Sequence, residues 1–434
     1  MTTTPTAQSF DIEATPVALL DTAAAMQDGT AQAPRLSGKR IGMVLFSSFP
    51  YDPRPRRAVE ALLEEGAAID LICLADEREP LHESRDGLNV RRIPITQERG
   101  GKFSYAYRYS SFIVASSALL AARCLRRRYD LIYVHNMPDV LVVSALIPKL
   151  FGAKVILDQH DPMPELATTI FNLAPESRGV RIIARLEKWS LGQADLVLTV
   201  NEACRRMFGM RSCSAAKIGV VMNSPDEKIF PLRAVERPSA AVRPSQPFVI
   251  MYHGSIVERN GLDLAVTALE RVRQTIPDAQ LKIYGRETPF LTRVMDDARS
   301  KGLAERVLYM GGKKLEDLVP AIESCHVGVI PNHRNAFTDI NTPTRIFEYL
   351  ALGKPVIAPA TQGILDYFTK DSLLLFEPGN ADDIARRLEF AANHYQEAQS
   401  IAARGQQTYL QHSWKQERAT LIQLVSTLCQ GAEA

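Results

Sequence analysis

The chain carries little that advertises a partner. Its 434 residues hold 51 lysines and arginines against 49 aspartates and glutamates, with aromatics at only 7%. That near balance lacks the basic footprint of a nucleic-acid binder, and no nucleic-acid partner is expected. The six cysteines, at positions 73, 124, 204, 213, 325 and 429, form no Cys-x-x-Cys pair and no cluster with histidine. A disulfide framework and a structural zinc are both disfavoured, and a reducing cytoplasm fits best. No apolar run reaches the ~20 residues that a spanning helix needs. The nearest, Ser110–Ala122, is followed by Arg123, Arg126, Arg127 and Arg128 and preceded by Tyr105, Tyr107, Arg108 and Tyr109. This mixture suits peripheral contact with an anionic inner-membrane surface; a core helix with a basic end is the plainer reading and is preferred. Also missing are Gly-x-Gly-x-x-Gly and Gly-x-x-x-x-Gly-Lys-Ser/Thr, which removes most support for a nicotinamide dehydrogenase or a P-loop nucleotidase.

What is present is alternation. From Arg40 short β-branched runs exchange with amphipathic stretches of helical length: RIGMVLF, PRRAVEALLEEG, AAIDLICLA, then DLIYVH, KVILD, DLVLTV and IGVVM. The strands are almost wholly apolar, as strands buried on both faces of a parallel sheet are. RPSAAVRPSQP interrupts the rhythm with three prolines and reads as a connector over 237–247. Alternation resumes with FVIMYHG, LKIYG, RVLYMGG, HVGVIPN and PVIAP. The expected organisation is a mobile tail over 1–38, a Rossmann-like domain over 39–236, the linker, a second Rossmann-like domain over 248–410, and a terminal helix over 411–434 packing back towards the first. Ligands in such sheets sit beyond the carboxyl ends of the strands. There the second half places HG at 253–254, YGRE at 284–287, GG at 311–312 and PN at 331–332.

The stretch NTPTRIFEYLALGKPVIAP, 341–359, sets one carboxylate among apolar neighbours. Thr342 suits a helix cap with Pro343 at the first position, and the helix start offers backbone donors to a diphosphate. Arg345 in the first turn is unfavourable to the helix but well placed for an anion there. Glu348 lies one turn on, between Phe347 and Tyr349. On spacing alone an Arg345–Glu348 ion pair is the simpler account; a carboxylate accepting from the two hydroxyls of a ribose is the functional one.

These residues, with FPYDPRPRRAVEALLEEG, YVHNMPDVL, LDQHDPMPEL, TVNEACRR, VMNSPDEKIF, YHGSIVERNGLD and FEPGNADDIARRL in order along the chain, resemble a family-4 retaining glycosyltransferase of the bacterial polysaccharide-assembly kind. The resemblance implies an α/β GT-B fold: two Rossmann-like domains facing each other across a cleft. It implies transfer of a sugar from a nucleotide-sugar, UDP- or GDP-linked, to a hydroxyl of a saccharide or lipid-linked acceptor, with retention and without a metal or other cofactor. Glu348 then matches the ribose-binding second acid of the Glu-x7-Glu motif. The first acid would fall on Ile340, so Asp339 is assigned the sugar-hydroxyl contact. Where the family places an Arg and a Lys, this chain has Ser255 and Asn260, leaving Arg259 and Arg345 as cations for the diphosphate. Gly254, Gly285, Arg286 and Thr342 complete the expected donor site, and His160 matches the histidine over the donor sugar. Asp161, Glu165 and Asn136, with His135, are expected on the acceptor side, as are Asp52, Arg54 and Arg57, beside Arg56, whose forks suit a lipid-linked diphosphate. The competing expectations are a non-catalytic GT-B partner, suggested by the missing acid, and a nucleotide-sugar epimerase.

Overall fold

The computed structural model describes residues 34–95, 102–235 and 247–431, with the side chains of 102–106 set aside. The expected tail up to residue 33 and the connector up to residue 246 lie outside the described residues. Each half of the described chain is built on one predominantly parallel sheet.

The first sheet has eight strands: β1 (Arg40–Ser48), β2 (Ala68–Leu74), β3 (His82–Arg85), β4 (Leu88–Ile93), β5 (Leu131–His135), β6 (Lys154–Gln159), β7 (Leu196–Thr199) and β8 (Ile218–Val220). Their order is β3-β4-β2-β1-β5-β6-β7-β8, parallel except for the β3–β4 hairpin. The chain therefore reverses direction across the sheet between β1 and β5, which opens a crevice at their carboxyl ends. Helices α1 (Pro53–Glu64), α2 (Lys102–Arg126), α3 (Leu146–Leu150), α4 (Met163–Phe171), α5 (Arg178–Gln193) and α6 (Glu202–Arg211) supply the crossovers.

The second sheet has six strands: β9 (Val249–His253), β10 (Gln280–Tyr284), β11 (Val307–Tyr309), β12 (Val327–Val329), β13 (Val356–Pro359) and β14 (Leu374–Phe376), in the order β11-β10-β9-β12-β13-β14. Its reversal lies between β9 and β12. Around it stand α7 (Leu262–Arg271), α8 (Pro289–Ser300), α9 (Leu315–Glu323), α10 (Thr344–Ala351), α11 (Gln362–Leu365), α12 (Ala381–Asn393), α13 (Tyr395–Gln411) and α14 (Trp414–Gln430).

Burial explains the sequence pattern. β1, β2 and β5 present Ile41, Met43, Leu71 and Tyr133 to one face, where α1 and α14 cover them with Val59, Leu62, Leu421 and Val425. The other face packs Val44, Ile72, Ile132 and Val134 under α2. In α2 the residues turned inward are Phe112, Ser116, Leu120 and Cys124, at every fourth position, and Arg123 pairs with Asp70 at 3.0 Å. The run considered for membrane contact is thus a core helix with a basic end, because its apolar stripe is needed to cover the sheet. No helix among the described residues is long and apolar enough to cross a membrane.

Polar contacts tie the two halves together around α10. Asn201 Nδ2 donates to the Ile340 carbonyl at 2.8 Å and to Thr342 Oγ1 at 3.1 Å. Thr344 Oγ1 donates to the Asn223 carbonyl at 2.9 Å, and the Met222 amide donates to Glu417 of α14 at 2.7 Å.

Candidate active site

The start of α10 stands between two cavities. Thr342, Pro343, Thr344 and Phe347 line one of about 470 Å³, opposite residues of the first half. Arg345 and Glu348, turned the other way, line one of about 810 Å³ within the second half. The helix begins one residue later than its sequence suggests. Pro343 is the capping residue, and the Thr342 hydroxyl donates instead to the Gly363 carbonyl at 2.7 Å. The first amides of α10 have no acceptor within the helix, so an anion-seeking helix end faces the junction of the cavities.

Glu348 is only 9% exposed, and its partner is His253 rather than Arg345: His253 Nε2 lies 2.5 Å from Glu348 Oε2. The Tyr349 hydroxyl donates its one hydrogen to the Met251 carbonyl at 2.7 Å, since a carbonyl only accepts. His253 Nδ1, 2.9 Å from the same hydroxyl, must then be the donor in that contact. The two ring nitrogens thus bridge the Glu348 carboxyl group to the Tyr349 hydroxyl, which anchors the pair to β9. Glu348 Oε2 is committed to His253, and the carboxylate borders the larger cavity.

Arg345 donates to the His253 carbonyl at 2.8 Å and reaches Asn332 Oδ1 at 3.3 Å, with its guanidinium 5.0 Å from the Tyr252 ring centre. This packing explains Gly254. Its φ of 116° is one that side chains rarely adopt, and a Cβ there would stand 3.1 Å from Arg345 Cδ. Gly285 is required for a different reason, since a Cβ would meet the Gly254 carbonyl oxygen at 2.3 Å. Ser255 and Arg286 line the same cavity, which also receives Lys313 and Lys314.

Across the smaller cavity lie Asp52, Arg54, Asn136, His160 and Asp161. They are gathered by the carboxyl ends of β1, β5 and β6, at the reversal of the first sheet. His160 Nε2 is 3.0 Å from His135 Nδ1, and both nitrogens lie within 3.5 Å of Asp158 Oδ2. Asp158 is buried, bonded by Arg54 through Nη2 at 2.6 Å and Nε at 3.1 Å, and by the Tyr133 hydroxyl at 2.9 Å. Burial alone pushes its carboxyl up; Arg54, then His160, overcome this and hold it well below the ordinary range. Burial holds His135 down, hence neutral, and burial also raises Asp161. The ligand atoms of His135, Asp158 and His160 lie within 4.8 Å of one another, a donor set that a metal can use. Yet the carboxylate already faces the Arg54 fork, so the cation this cluster is arranged around is the guanidinium.

Several expected residues stand elsewhere. Arg54 and Arg57 are not open forks. The first is consumed by Asp158 and the Val221 carbonyl, and the second bonds the Ser224 carbonyl and Asn223 Oδ1 beneath the Trp414 ring. Glu165 is held by Arg211 at 2.9 Å, in a network with buried Glu187. Asp339 pairs with Arg334 at 3.1 Å and lines neither cavity. Arg259 lines a third cavity of about 650 Å³ with Thr169 and His333, while Asn260 Nδ2 donates to the Ser255 carbonyl at 2.7 Å and so shapes its loop. Of the two cations assigned to a diphosphate, Arg345 alone borders the helix start.

Two family descriptions match the chain in succession: "Glycosyl transferase 4-like domain" over residues 52–224 and "Glycosyl transferases group 1" over residues 236–408. The chain is a GT-B glycosyltransferase. Its fold is shared by sucrose-phosphate synthase from Thermosynechococcus elongatus, with a TM-score of 0.72 and 18% identity over 91% of this chain and 100% of that one. It is shared too by the Anabaena protein HepE, solved in complex with UDP-glucose, with a TM-score of 0.66 and 17% identity over 89% and 99% of the two chains. The glycogen synthase of Mycobacterium tuberculosis is 25% identical over 189 residues, a match that spans 42% of this chain and 42% of that relative, so less than half of the curated relative is matched.

In this glycosyltransferase the residues that sequence reasoning passed over are Asp158, Tyr133 and His253. The signal was there: side chains two apart on a strand share a face, and Tyr133 and His135 lie on β5 beside β6, with His135 in register with Asp158 and His160 just past the end of β6. Asn136 braces the same corner, reaching Asp139, Gln159 and the Asp161 carbonyl at 2.6–3.0 Å. Asp139 gives a pH signature. Burial, against the opposing Asn136 bond, pushes its carboxyl up to about 7, far above the ~3.9 of an unfolded chain. The folded state then keeps a proton that the unfolded state releases, so stability falls as pH rises from about 4 to about 7. At ~1.4 kcal/mol per unit the loss is on the order of 4 kcal/mol. Asp139→Asn keeps the acceptor for Asn136 and is expected to remove this slope, read from urea unfolding at pH 5 and pH 8.

Proposed function

We propose that the chain is a retaining transferase that moves a sugar from a UDP- or GDP-sugar to a hydroxyl of a saccharide or lipid-linked acceptor, in the cytoplasmic assembly of a polysaccharide. The observation that carries this reading is α10, which offers its amide end and Arg345 at the meeting of a pocket holding Glu348 and a cavity holding His160. A nucleoside with its ribose on Glu348 and its diphosphate at the helix start would extend its sugar towards His160.

The chemistry follows from the charges. The acceptor oxygen attacks the anomeric carbon as the bond from that carbon to the diphosphate oxygen breaks. The acceptor proton passes to the departing phosphate on the same face of the sugar, which gives retention without a protein nucleophile. Arg345 and the α10 amides meet the charge developing on the leaving group, and His160 orients sugar hydroxyls. Asp52 and Asp161 are left as polar groups on the acceptor side. No step calls for a metal in this reading, and activity is expected to survive a chelator.

The test is donor binding by saturation-transfer NMR over a panel of UDP- and GDP-sugars, followed by transfer assays with the donor that binds. One donor is expected to bind selectively, with affinity lowered about tenfold or more by Glu348→Ala, which removes two charged-acceptor bonds, and lowered by His253→Asn, which frees the carboxylate from its grip. Binding indifferent to both changes would sink the donor site. A second reading, a donor-binding subunit without turnover, is favoured by Ile340 standing where the family has a sugar-binding acid while the neighbouring Asp339 is tied to Arg334. It predicts the same binding with no product from any acceptor.

A further inference from the structure

Most amphipathic helices turn apolar residues inward, and α5 does so only in part. It buries Val180, Glu187, Ser190 and Leu191, with Glu187 held by Arg211. On its solvent side Ile182, Leu186 and Trp189 form one stripe at i, i+4 and i+7 and remain 55%, 43% and 42% exposed. Arg178, Arg181, Arg185 and Lys188 run beside them along the same open side, and among the described residues no carboxylate forms a salt bridge with any of the four. At the adjoining end of α4, Ile170 and Phe171 are 53% and 59% exposed.

We propose that this face of α4 and α5 docks on an anionic lipid bilayer. An aliphatic and tryptophan stripe flanked by unpaired cations asks for an occupant that offers hydrocarbon and negative charge in one plane, which is the headgroup boundary of such a bilayer. A nucleic acid offers the charge but no apolar phase for Ile182 and Leu186. A second copy docked through the same face brings four cations against four. The face is one helix removed from the cleft, since α4 begins two residues after Asp161 and Arg211 clamps it to α5 through Glu165 and Glu187. A lipid-borne acceptor would thus reach the cleft from the side on which the protein rests. It also moves the membrane contact away from α2, whose apolar stripe is spent on the sheet.

The experiment is flotation of the full chain with vesicles of phosphatidylglycerol in phosphatidylcholine and with pure phosphatidylcholine. Binding is expected to the anionic vesicles only and to weaken as salt rises. The exposed triple change Ile182→Ser, Leu186→Ser and Trp189→Ser is expected to weaken it about tenfold or more. Arg181→Gln with Arg185→Gln is expected to abolish the preference for anionic lipid. Because the face lies outside both cavities, donor binding should be unchanged in both variants, which separates this proposal from the donor site and controls for folding. No flotation, flotation indifferent to the triple change, or a dimer in solution that the triple change dissolves would overturn it.

Discussion

Arg54→Met is expected to destabilise the fold by about 3–5 kcal/mol, because it strands a buried carboxylate. Asp158 sits at the carboxyl end of β6 with almost no water access, and the Arg54 fork supplies three of its short contacts. In the native protein its carboxyl titrates well below the ordinary range, so its stabilisation is present above about pH 4 and is lost as the pH falls through the lower folded value. Without the guanidinium, burial is left as the leading influence and drives the same carboxyl upward. The folded state then binds the extra proton, and stability falls as pH rises. The variant should therefore lose most at pH 8 and least near pH 4, a slope opposite in sign to the wild-type contribution. Pairing the change with Asp158→Asn should recover a large part of the loss by removing the stranded charge. Urea midpoints for the three proteins at pH 4.5 and pH 8 measure this. Equal losses at both pH values would mean that Arg54 contributes packing rather than charge.

The same pair shows how much the sequence discloses. Apolar runs separated by amphipathic stretches are enough to give two parallel sheets, because strands buried on both faces leave little choice of residue. The α10 segment discloses Glu348 and Arg345, since one carboxylate in an apolar helix is conspicuous. What stays hidden is the partner of each polar group. Arg54, Arg56 and Arg57 read as an exposed basic cluster awaiting phosphate, but Arg54 and Arg57 are buried, held by groups more than a hundred residues away at Asp158, Val221, Asn223 and Ser224. Long-range pairing of this kind leaves no local period. Asp339 has a similar history: counting along the motif brings an acid near the right place, yet Arg334, five residues upstream, claims it. His253 was visible as a residue and not as a function, because its role depends on a hydroxyl and a carboxylate 96 and 95 residues later.

If Arg345 meets the leaving diphosphate, Arg345→Met should lower kcat by about 10²–10³-fold, the usual cost of removing one donor aimed at developing charge. Donor KM should move far less, because charge on the bridging oxygen grows mainly as the bond breaks, and an interaction that strengthens in the transition state appears in kcat. Methionine is the informative replacement. It keeps much of the stem that packs over Gly254 and Tyr252 while removing the fork that now donates to the His253 carbonyl and Asn332. Lysine would restore charge without the fork, and so is expected to recover part of the rate. If the methionine variant instead raises KM and spares kcat, Arg345 binds donor equally before and during reaction, and the α10 amides carry the leaving-group charge. These outcomes differ because Arg345 already has two protein acceptors: a phosphate must compete with them, and it competes best when its charge is greatest.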